Sequence, residues 1–315
     1  MKKISVVKGI LAAVVLAAVV LLVWQGVAVQ GKPDMDEAAR KHAAGSFVNL
    51  TKGVVHYELT GPKDAPVVVM IHGFTTPYFV WDRNRDAVVK AGFRVLRYDH
   101  FGRGYSDRPK VAYDRTLYDQ QLLELLDALD IREPVTLVGL SMGGAVSVIF
   151  ADRHSERVSK ICLIAPAGYE ANEPLSMKLV KAPLLGELLM VTLGDRMVLK
   201  GIKSAFNKPG QLSEFGEKFK VQMQYKGYTS ALLSTLRHMN MNDLGDVYGR
   251  VGKLNKPVLL VWGTQDKLLP LSNSEKVKNA IPHLEFHAIK GAGHNLNYEN
   301  YEKVNPILVK FLVEK

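Results

Sequence analysis

The chain lacks most of the features that mark small disulfide-linked, metal-binding or nucleic-acid-binding proteins. It has one cysteine in 315 residues, Cys162, so no disulfide can form within it. It has no H-E-x-x-H motif, no paired cysteines and no carboxylates with ligand spacing, which predicts no metal and no other cofactor. The net charge of +10 is spread out, without an arginine cluster or aromatic ladder. This distribution argues against nucleic acid as a partner and favours mild attraction to anionic membrane surfaces.

One long apolar run stands near the N-terminus. Gly9 to Val29 contains no charged side chain, and its 21 residues are enough to cross a bilayer. Lysines at positions 2, 3 and 8 precede it, which predicts a single-pass membrane protein with the rest of the chain on the non-cytoplasmic side. The small residues at positions 26–28 leave a second interpretation open, a cleaved signal peptide and a secreted or periplasmic protein. We therefore divide the N-terminus into an anchor or signal, 1–29, and a polar linker, 30–46.

The stretch Pro134 to Gly144 has the pattern of a strand, a tight turn and a helix. Val135 to Val138 is typical of a buried strand, and a helical pattern runs from Ala145 to Arg153. Between them, glycines two residues before and two residues after Ser141 permit a turn that exposes the serine hydroxyl as a nucleophile. Because glycine is abundant in this chain, the pentapeptide alone is moderate evidence, and the flanking elements carry the interpretation.

Further apolar runs predict the other strands of a mainly parallel sheet. Alternation from Phe47 to Leu59 indicates an antiparallel pair, and Pro66 to Ile71 reads as a buried strand that ends at His72-Gly73-Phe74. A glycine-containing loop at this point suits the first donor of an oxyanion hole, which we assign to the Phe74 N–H, with the Met142 N–H as the second. For His72 a structural role is favoured over a catalytic one.

The loop that follows the next strand is predicted to be structural. The strand Phe93 to Tyr98 leads into the glycine-punctuated segment 99–109, and an amphipathic helix follows from Asp119 to Leu129. Asp99 and His100 resemble an acid and base pair, but adjacent residues in an extended chain point in opposite directions and cannot easily serve one substrate.

The alternation of strand and helix stops between Gly168 and Asp246. This part of the chain holds six of the ten methionines and several apolar helical stretches. We predict a helical lid insertion at 168–246 within a core formed by 47–167 and 247–315, with methionines adapting to apolar ligands. The alternative is a helical subdomain that only supports its own small core.

Two late loops supply the remaining partners of the serine. Asp266 follows the strand Pro257 to Trp262, whereas the loop after the preceding strand offers only Glu170. His294 lies on a glycine-rich loop after the strand Leu284 to Ile289. Since a serine hydroxyl needs an imidazole base and a carboxylate to orient that base, we predict a triad of Ser141, Asp266 and His294.

Five motifs taken together resemble the α/β-hydrolase superfamily. They are H-G-F at 72–74, D-H-F-G-R-G-Y-S-D-R-P at 99–109, G-L-S-M-G-G at 139–144, W-G-T-Q-D at 262–266 and G-A-G-H at 291–294. The resemblance covers about residues 50–315 and implies an α/β-hydrolase fold, a mostly parallel sheet with helices on both faces. The elbow, the A-P-A-G at 165–168 and the N-terminal apolar run are most similar to the membrane-anchored monoacylglycerol lipase and esterase branch.

The function expected from these features is hydrolysis of carboxylic esters, with lipid-like or monoacylglycerol-type substrates, through an acyl-enzyme. Relatives that place an aspartate at the nucleophile position hydrolyse epoxides or haloalkanes, and this chain differs from them at Ser141. The resemblance leaves C–C bond hydrolases and cofactor-free haloperoxidases or perhydrolases as enzymatic alternatives. A ligand-sensing homologue with an intact triad is the non-enzymatic alternative. The expected partners are a small ester or lipid and a membrane, and the oligomeric state is not predicted.

Overall fold

A single sheet of eight strands organises the part of the chain that the computed structural model describes, which is residues 31–41, 43–170 and 175–314 with two isolated positions, 9 and 20. The strands are β1 (Ser46–Leu50), β2 (Gly53–Thr60), β3 (Val67–Ile71), β4 (Arg94–Tyr98), β5 (Val135–Leu140), β6 (Val158–Ile164), β7 (Val258–Gly263) and β8 (Glu285–Ile289). Their spatial order is β1-β2-β4-β3-β5-β6-β7-β8, antiparallel for β1, β2 and β4 and parallel from there on. The predicted antiparallel pair and parallel sheet are confirmed.

The central strands are apolar along their whole length because both faces of the sheet are covered. Every residue of β5 and of β7 is buried, and β3 has four buried residues in succession. Leu137 pairs with Val69 on one side and with Ile161 on the other. Parallel neighbours of this kind bring their carboxyl ends, and the loops that follow them, to one edge of the sheet.

Thirteen α-helices lie within the described residues. They are α1 (Glu37–Arg40), α2 (Arg85–Lys90), α3 (Arg115–Ala128), α4 (Met142–Arg153), α5 (Leu175–Lys181), α6 (Leu185–Thr192), α7 (Gly194–Ala205), α8 (Leu212–Met223), α9 (Tyr228–His238), α10 (Gly245–Gly252), α11 (Asn273–Ala280), α12 (Leu296–Glu299) and α13 (Tyr301–Val313). Three short 3₁₀ turns occur at Tyr78–Trp81, Ser155–Arg157 and Pro209–Gln211.

Two helices begin earlier than the sequence predicts, for local reasons. Helix α4 starts at Met142 and not at Ala145, because the Ser141 carbonyl accepts the N–H groups of Gly144 and Ala145. Helix α3 starts at Arg115 because the Asp114 carboxylate accepts the Leu117 N–H at 2.9 Å and caps it.

Helices α5 to α10 lie between β6 and β7 in the chain and share the core of the sheet domain. The ring of Phe215 on α8 packs edge to face against Tyr298 on α12, with centroids 5.0 Å apart, and against Phe206 at 4.8 Å. Phe215 is fully buried. The inserted helices are therefore held by the same hydrophobic cluster as the sheet.

The segment that precedes β1 is attached to the inserted helices. Lys32 Nζ lies 3.0 Å from Asp195 Oδ2 at the start of α7, and the Lys226 N–H donates to the Pro33 carbonyl at 2.9 Å. Helix α1 follows, with Asp36 as its N-cap. From Lys32 onward this segment therefore has fixed contacts on the body of the protein.

No helix among the described residues is long and apolar enough to cross a bilayer. Apart from positions 9 and 20, the predicted transmembrane segment Gly9 to Val29 lies outside the residues that the structure describes. The anchor stays a prediction from sequence.

Candidate active site

Ser141 stands alone between the end of β5 and the start of α4. Its backbone has φ 54° and ψ −117°, a conformation that is strained for a residue with a side chain. The Ser141 N–H donates to the Ile164 carbonyl at 3.0 Å, and the Ser141 carbonyl accepts from Ala167 at 3.0 Å. Hydrogen bonds to the end of β6 and to the loop after it hold the strained turn, so the hydroxyl is presented at the sheet edge where ligands bind.

The flanking glycines allow three backbone segments to meet at this turn. A Cβ at Gly143 would lie 2.1 Å from the Ile71 carbonyl oxygen, and one at Gly139 would lie 2.4 Å from the Gly143 carbonyl oxygen. Neither contact is possible for a larger residue without displacing the backbone. The two glycines therefore allow the start of helix α4 to pack closely against strands β3 and β5.

His294 and Asp266 are in direct contact. His294 Nδ1 lies 2.8 Å from Asp266 Oδ2, and both side chains are almost completely buried. The other carboxylate oxygen, Oδ1, accepts the N–H groups of Leu268 and Leu269, each at 2.9 Å. With Nδ1–H donating to the carboxylate, the imidazole presents Nε2 as an acceptor.

Hydrogen bonds between the two loops fix this pair. The Gln265 N–H donates to the Ala292 carbonyl at 2.9 Å, and the Gly291 N–H donates to Thr264 Oγ1 at 2.9 Å. A Cβ at Gly263 would lie 2.4 Å from the carbonyl oxygens of Ala292 and Gly293, so glycine at the end of β7 lets the histidine loop pack against it. The acid and the base are thus carried by one rigid unit.

The predicted oxyanion donors belong to the two chain segments next to the serine. Met142 is the first residue of α4, so its N–H has no acceptor within the helix and sits at the positive end of the helix dipole. Phe74 follows β3, and a Cβ built on its neighbour Gly73 would lie 3.4 Å from Ser141 Cβ. The loop that carries the Phe74 N–H therefore passes directly beside the nucleophile.

Three residues that sequence reasoning missed hold this loop. The buried guanidinium of Arg103 donates through Nε to the Phe74 carbonyl at 2.8 Å. Gln222 Nε2 and the Tyr228 hydroxyl donate to the Thr75 carbonyl at 3.0 and 3.3 Å. Two successive carbonyls of the oxyanion loop are therefore held from the 99–109 loop, α8 and α9, contacts between distant segments that no local pattern indicates.

The other candidate acids and bases lie outside the triad. His72 donates from Nδ1 to the Gly73 carbonyl at 2.8 Å and accepts the His100 N–H at Nε2, which is the structural role predicted for it. Its complete burial lowers its pKa to about 4, so it is neutral at pH 7. Asp99 accepts from Tyr78 N–H and Tyr105 N–H and binds His56, so its carboxylate organises the 99–109 loop.

A cavity of about 280 Å³ joins Ser141 and His294. Its polar part consists of the oxyanion loop and Asn295, and its walls come from the inserted helices and Leu268. The apolar lining includes Met177, Met190, Met197, Ile202, Leu232 and Leu236. The site can accordingly offer a nucleophile, a base, anion-stabilising N–H groups and an apolar pocket to one substrate.

A sequence profile of the α/β-hydrolase fold matches residues 66–301, which spans the elbow, the acid loop and the histidine loop. Together with the sheet order and the nucleophile turn, this match shows that the chain belongs to the α/β-hydrolase superfamily.

Relatives within the superfamily have diverse names. A 2-hydroxy-6-oxononadienedioate/2-hydroxy-6-oxononatrienedioate hydrolase of Paraburkholderia phymatum is 29% identical over 287 residues, 86% of this chain and 96% of that protein. An enol-lactonase of Burkholderia xenovorans LB400 has a similar structure, with TM-score 0.73, 23% identity and coverage of 85% and 100%. An esterase of Exiguobacterium antarcticum has TM-score 0.71, 23% identity and coverage of 86% and 100%. These relatives do not support the narrower prediction of a membrane-anchored monoacylglycerol lipase.

Proposed function

We propose that the protein is a serine hydrolase that cleaves carboxylic esters with apolar acyl groups through an acyl-enzyme. The observation that carries the proposal is the cavity onto which Ser141, His294 and the oxyanion loop all open, with Asp266 bonded to His294 behind the cavity wall. A nucleophile with a paired base and preorganised N–H donors is the arrangement that acyl transfer requires.

In the first half of the reaction, His294 Nε2 accepts the Ser141 proton while Oγ attacks the ester carbonyl carbon. The resulting oxyanion accepts hydrogen bonds from the N–H groups of Phe74 and Met142, and Asp266 stabilises the imidazolium. His294 then returns the proton to the departing alkoxide, and the alcohol leaves. The product of these steps is an ester between the acyl group and Ser141.

Water completes the cycle by the same route. His294 takes a proton from water, the hydroxide attacks the acyl carbon, and the second oxyanion occupies the same two N–H donors. Collapse of this intermediate breaks the bond to Ser141 Oγ, which recovers the proton from His294 as the carboxylic acid is released.

The cavity wall favours an uncharged, apolar acyl group. Among the described residues that line it there is no lysine, arginine, aspartate or glutamate, and His294 is the one titratable side chain. A carboxylate on the acyl group would be buried among methionine and leucine side chains without a cation to pair with, at a large desolvation cost. Methionines instead adapt to acyl chains of different shape.

A panel of p-nitrophenyl esters of increasing acyl length, assayed by steady-state kinetics, tests this proposal. We expect kcat/KM to rise from acetate to medium chains, with sustained turnover, and to vanish in Ser141→Ala. A single turnover without recycling would favour the ligand-sensing alternative. Absence of ester turnover in a folded protein would contradict the proposal.

The second candidate is a C–C bond hydrolase, and the sequence relationship to the Paraburkholderia phymatum protein favours it. The name of that relative describes a dienedioate, which has two carboxylates, and the cavity of this chain offers them no lysine or arginine among its described lining residues. We therefore place ester hydrolysis first. Turnover of the dienedioate faster than of any ester would reverse the order. Perhydrolysis would appear in the same assays as peracid formation with hydrogen peroxide.

We also propose that residues 1–29 anchor the protein in a membrane with the catalytic domain on the non-cytoplasmic side. The proposal rests on the length of the apolar run and the lysines before it. Mass spectrometry of the mature protein tests it. A chain that begins after Ala28 would show a cleaved signal and contradict the anchor.

A further inference from the structure

Exposed large apolar side chains are concentrated in the inserted helices. Among the described residues, nine such side chains are exposed, and five of them lie between residues 175 and 193, on α5 and α6 and beside them. We name these five the leucine face: Leu175, Leu179, Leu184, Leu185 and Leu193. Single exposed leucines are ordinary, but a cluster on a monomer indicates an interaction surface.

One member of the leucine face is held in a strained turn. The Leu185 N–H donates to the Pro183 carbonyl at 2.8 Å, which closes a three-residue turn around Leu184. Leu184 has φ 64° and ψ −48°, a rare conformation for a residue with a side chain, and it is 76% exposed. Because the Leu184 side chain is exposed, its burial in the protein core does not offset the strain of this turn.

The helices that carry the leucine face also form part of the wall of the active-site cavity. Met177, which lies between Leu175 and Leu179 in the chain, lines the cavity. Leu268 also lines the cavity while 41% of it is exposed, and Gly201 on α7 is likewise both exposed and part of the lining.

Exposed positive charge lies on α5 and on α7, the helix that follows the leucine face in the chain. The exposed cations of α5 and α7 are Lys178, Arg196, Lys200 and Lys203. The two carboxylates between residues 175 and 205 have partners elsewhere, because Glu187 pairs with Arg237 and Asp195 pairs with Lys32. Leucines flanked by cations are complementary to a surface that is apolar in its interior and anionic at its boundary.

The chain before residue 31 joins the fold at this place. Lys32 Nζ donates to Asp195 Oδ2 at 3.0 Å and to the Met223 carbonyl at 2.8 Å. Asp195 stands two residues after Leu193 of the leucine face. The apolar run 9–29 is therefore connected to the body of the protein beside the exposed leucines.

We infer that the leucine face lies on a lipid bilayer that contains anionic lipids. The five leucines enter the acyl region and the four exposed cations meet the lipid phosphates, so the helices that wall the cavity rest on the membrane. The inference does not depend on which bond the active site cleaves. A bilayer is inferred as the occupant for three reasons: the face is apolar, positive charge lies near it in the chain, and the N-terminal segment joins the fold at Lys32.

A single-cysteine fluorescence experiment on the full chain tests the inference. Because Cys162 is fully buried, Leu184→Cys gives one reactive thiol, which is labelled with the environment-sensitive dye NBD. The labelled protein is reconstituted with vesicles of phosphatidylcholine and phosphatidylglycerol that contain lipids with a nitroxide on the acyl chain. Val313→Cys, at an exposed position outside the inserted helices, is the matched control. Circular dichroism and the unfolding midpoint verify that both variants fold.

We expect a blue shift and strong quenching of the dye at position 184, no change at position 313, and weaker quenching at 184 in pure phosphatidylcholine. An unshifted, unquenched dye at 184, with or without vesicle binding, would overturn the inference. Equal quenching with and without phosphatidylglycerol would overturn the role of the cations. A shift that appears without lipid and grows with protein concentration would show that a second copy of the chain covers the face. Since none of these readings involves catalysis, they are independent of the ester assays.

Discussion

Replacing Gly201 with leucine is expected to shorten the longest acyl chain that the protein hydrolyses. Gly201 lies on α7 and lines the cavity between Val198, Ile202 and Ala205. A Cβ placed there meets no heavy atom within 4 Å. Glycine inside a helix costs about 0.5–1 kcal/mol relative to alanine, so this glycine keeps space open at the expense of helix stability.

The size of the effect follows from the space that a leucine side chain would occupy. Its carbon atoms would displace about four methylene groups of a bound acyl chain, each worth about 0.8 kcal/mol of burial, or about 3 kcal/mol in total. In kcat/KM this corresponds to a loss of about 200-fold for long esters. Acetate and butyrate esters, which do not reach the mouth, should keep wild-type rates.

A matched control separates this effect from a change in the helix itself. Gly216 on α8 is also a helical glycine with no heavy atom within 4 Å of a built Cβ, and it does not line the cavity. Both Gly201→Leu and Gly216→Leu should raise or preserve the unfolding midpoint, but only the first should change the chain-length profile in a p-nitrophenyl ester series. An unchanged profile in Gly201→Leu would refute the assignment of the cavity as the acyl pocket.

Three further predictions concern the residues around the nucleophile. Asp266→Asn should lower kcat about 10⁴-fold with little change in unfolding midpoint, because the amide stabilises the wrong histidine tautomer. Glu170→Gln is the control. Activity that survives in Asp266→Asn but is lost in Glu170→Gln would move the acid to the loop after β6. Gln222→Met should lower kcat about tenfold at constant KM by loosening the Thr75 carbonyl, and an unchanged kcat would remove Gln222 from the site. Burial lowers the pKa of His72 to about 4 in the folded protein. Between about pH 6.5 and pH 4 the imidazole is therefore protonated in the unfolded chain but not in the folded protein. The free energy of unfolding consequently falls by about 1.4 kcal/mol per pH unit as the pH drops through this window. Urea denaturation at several pH values should show a smaller fall in His72→Asn, and an equal fall would contradict the buried neutral histidine.

Much of the fold could be predicted because its signals are local. Continuous apolar runs such as Val135–Leu140 and Val258–Gly263 are typical of strands that are buried on both faces of a sheet. Each of Ser141, Asp266 and His294 follows a predicted parallel strand, which predicts that all three lie at the same edge of the sheet. The contact between His294 and Asp266 agrees with the predicted pairing. Their catalytic roles stay predictions until activity is measured.

The remaining features depend on contacts between distant residues. Nothing near Arg103 in the sequence indicates that its guanidinium holds the Phe74 carbonyl while also meeting Thr235 on α9. The polar composition of 30–46 predicted a linker, and composition gives no sign of its contacts. Lys32 bonds to Asp195 of α7 and Pro33 bonds to Lys226 in the turn before α9, partners that are at least 163 residues away. Tertiary partners of this kind are invisible to periodicity and composition.

The most direct test of the proposed chemistry is the site of reaction with a fluorophosphonate, which traps activated serines as stable phosphonyl adducts. Full-length protein is labelled, digested and mapped by mass spectrometry, with Ser141→Ala and heat-denatured protein as controls. The mechanism predicts one adduct, on the peptide that carries Ser141, dependent on the folded state and absent from Ser141→Ala. Labelling of Ser141→Ala at the wild-type rate, or no adduct in folded wild-type protein, would contradict the assignment of Ser141 as the nucleophile.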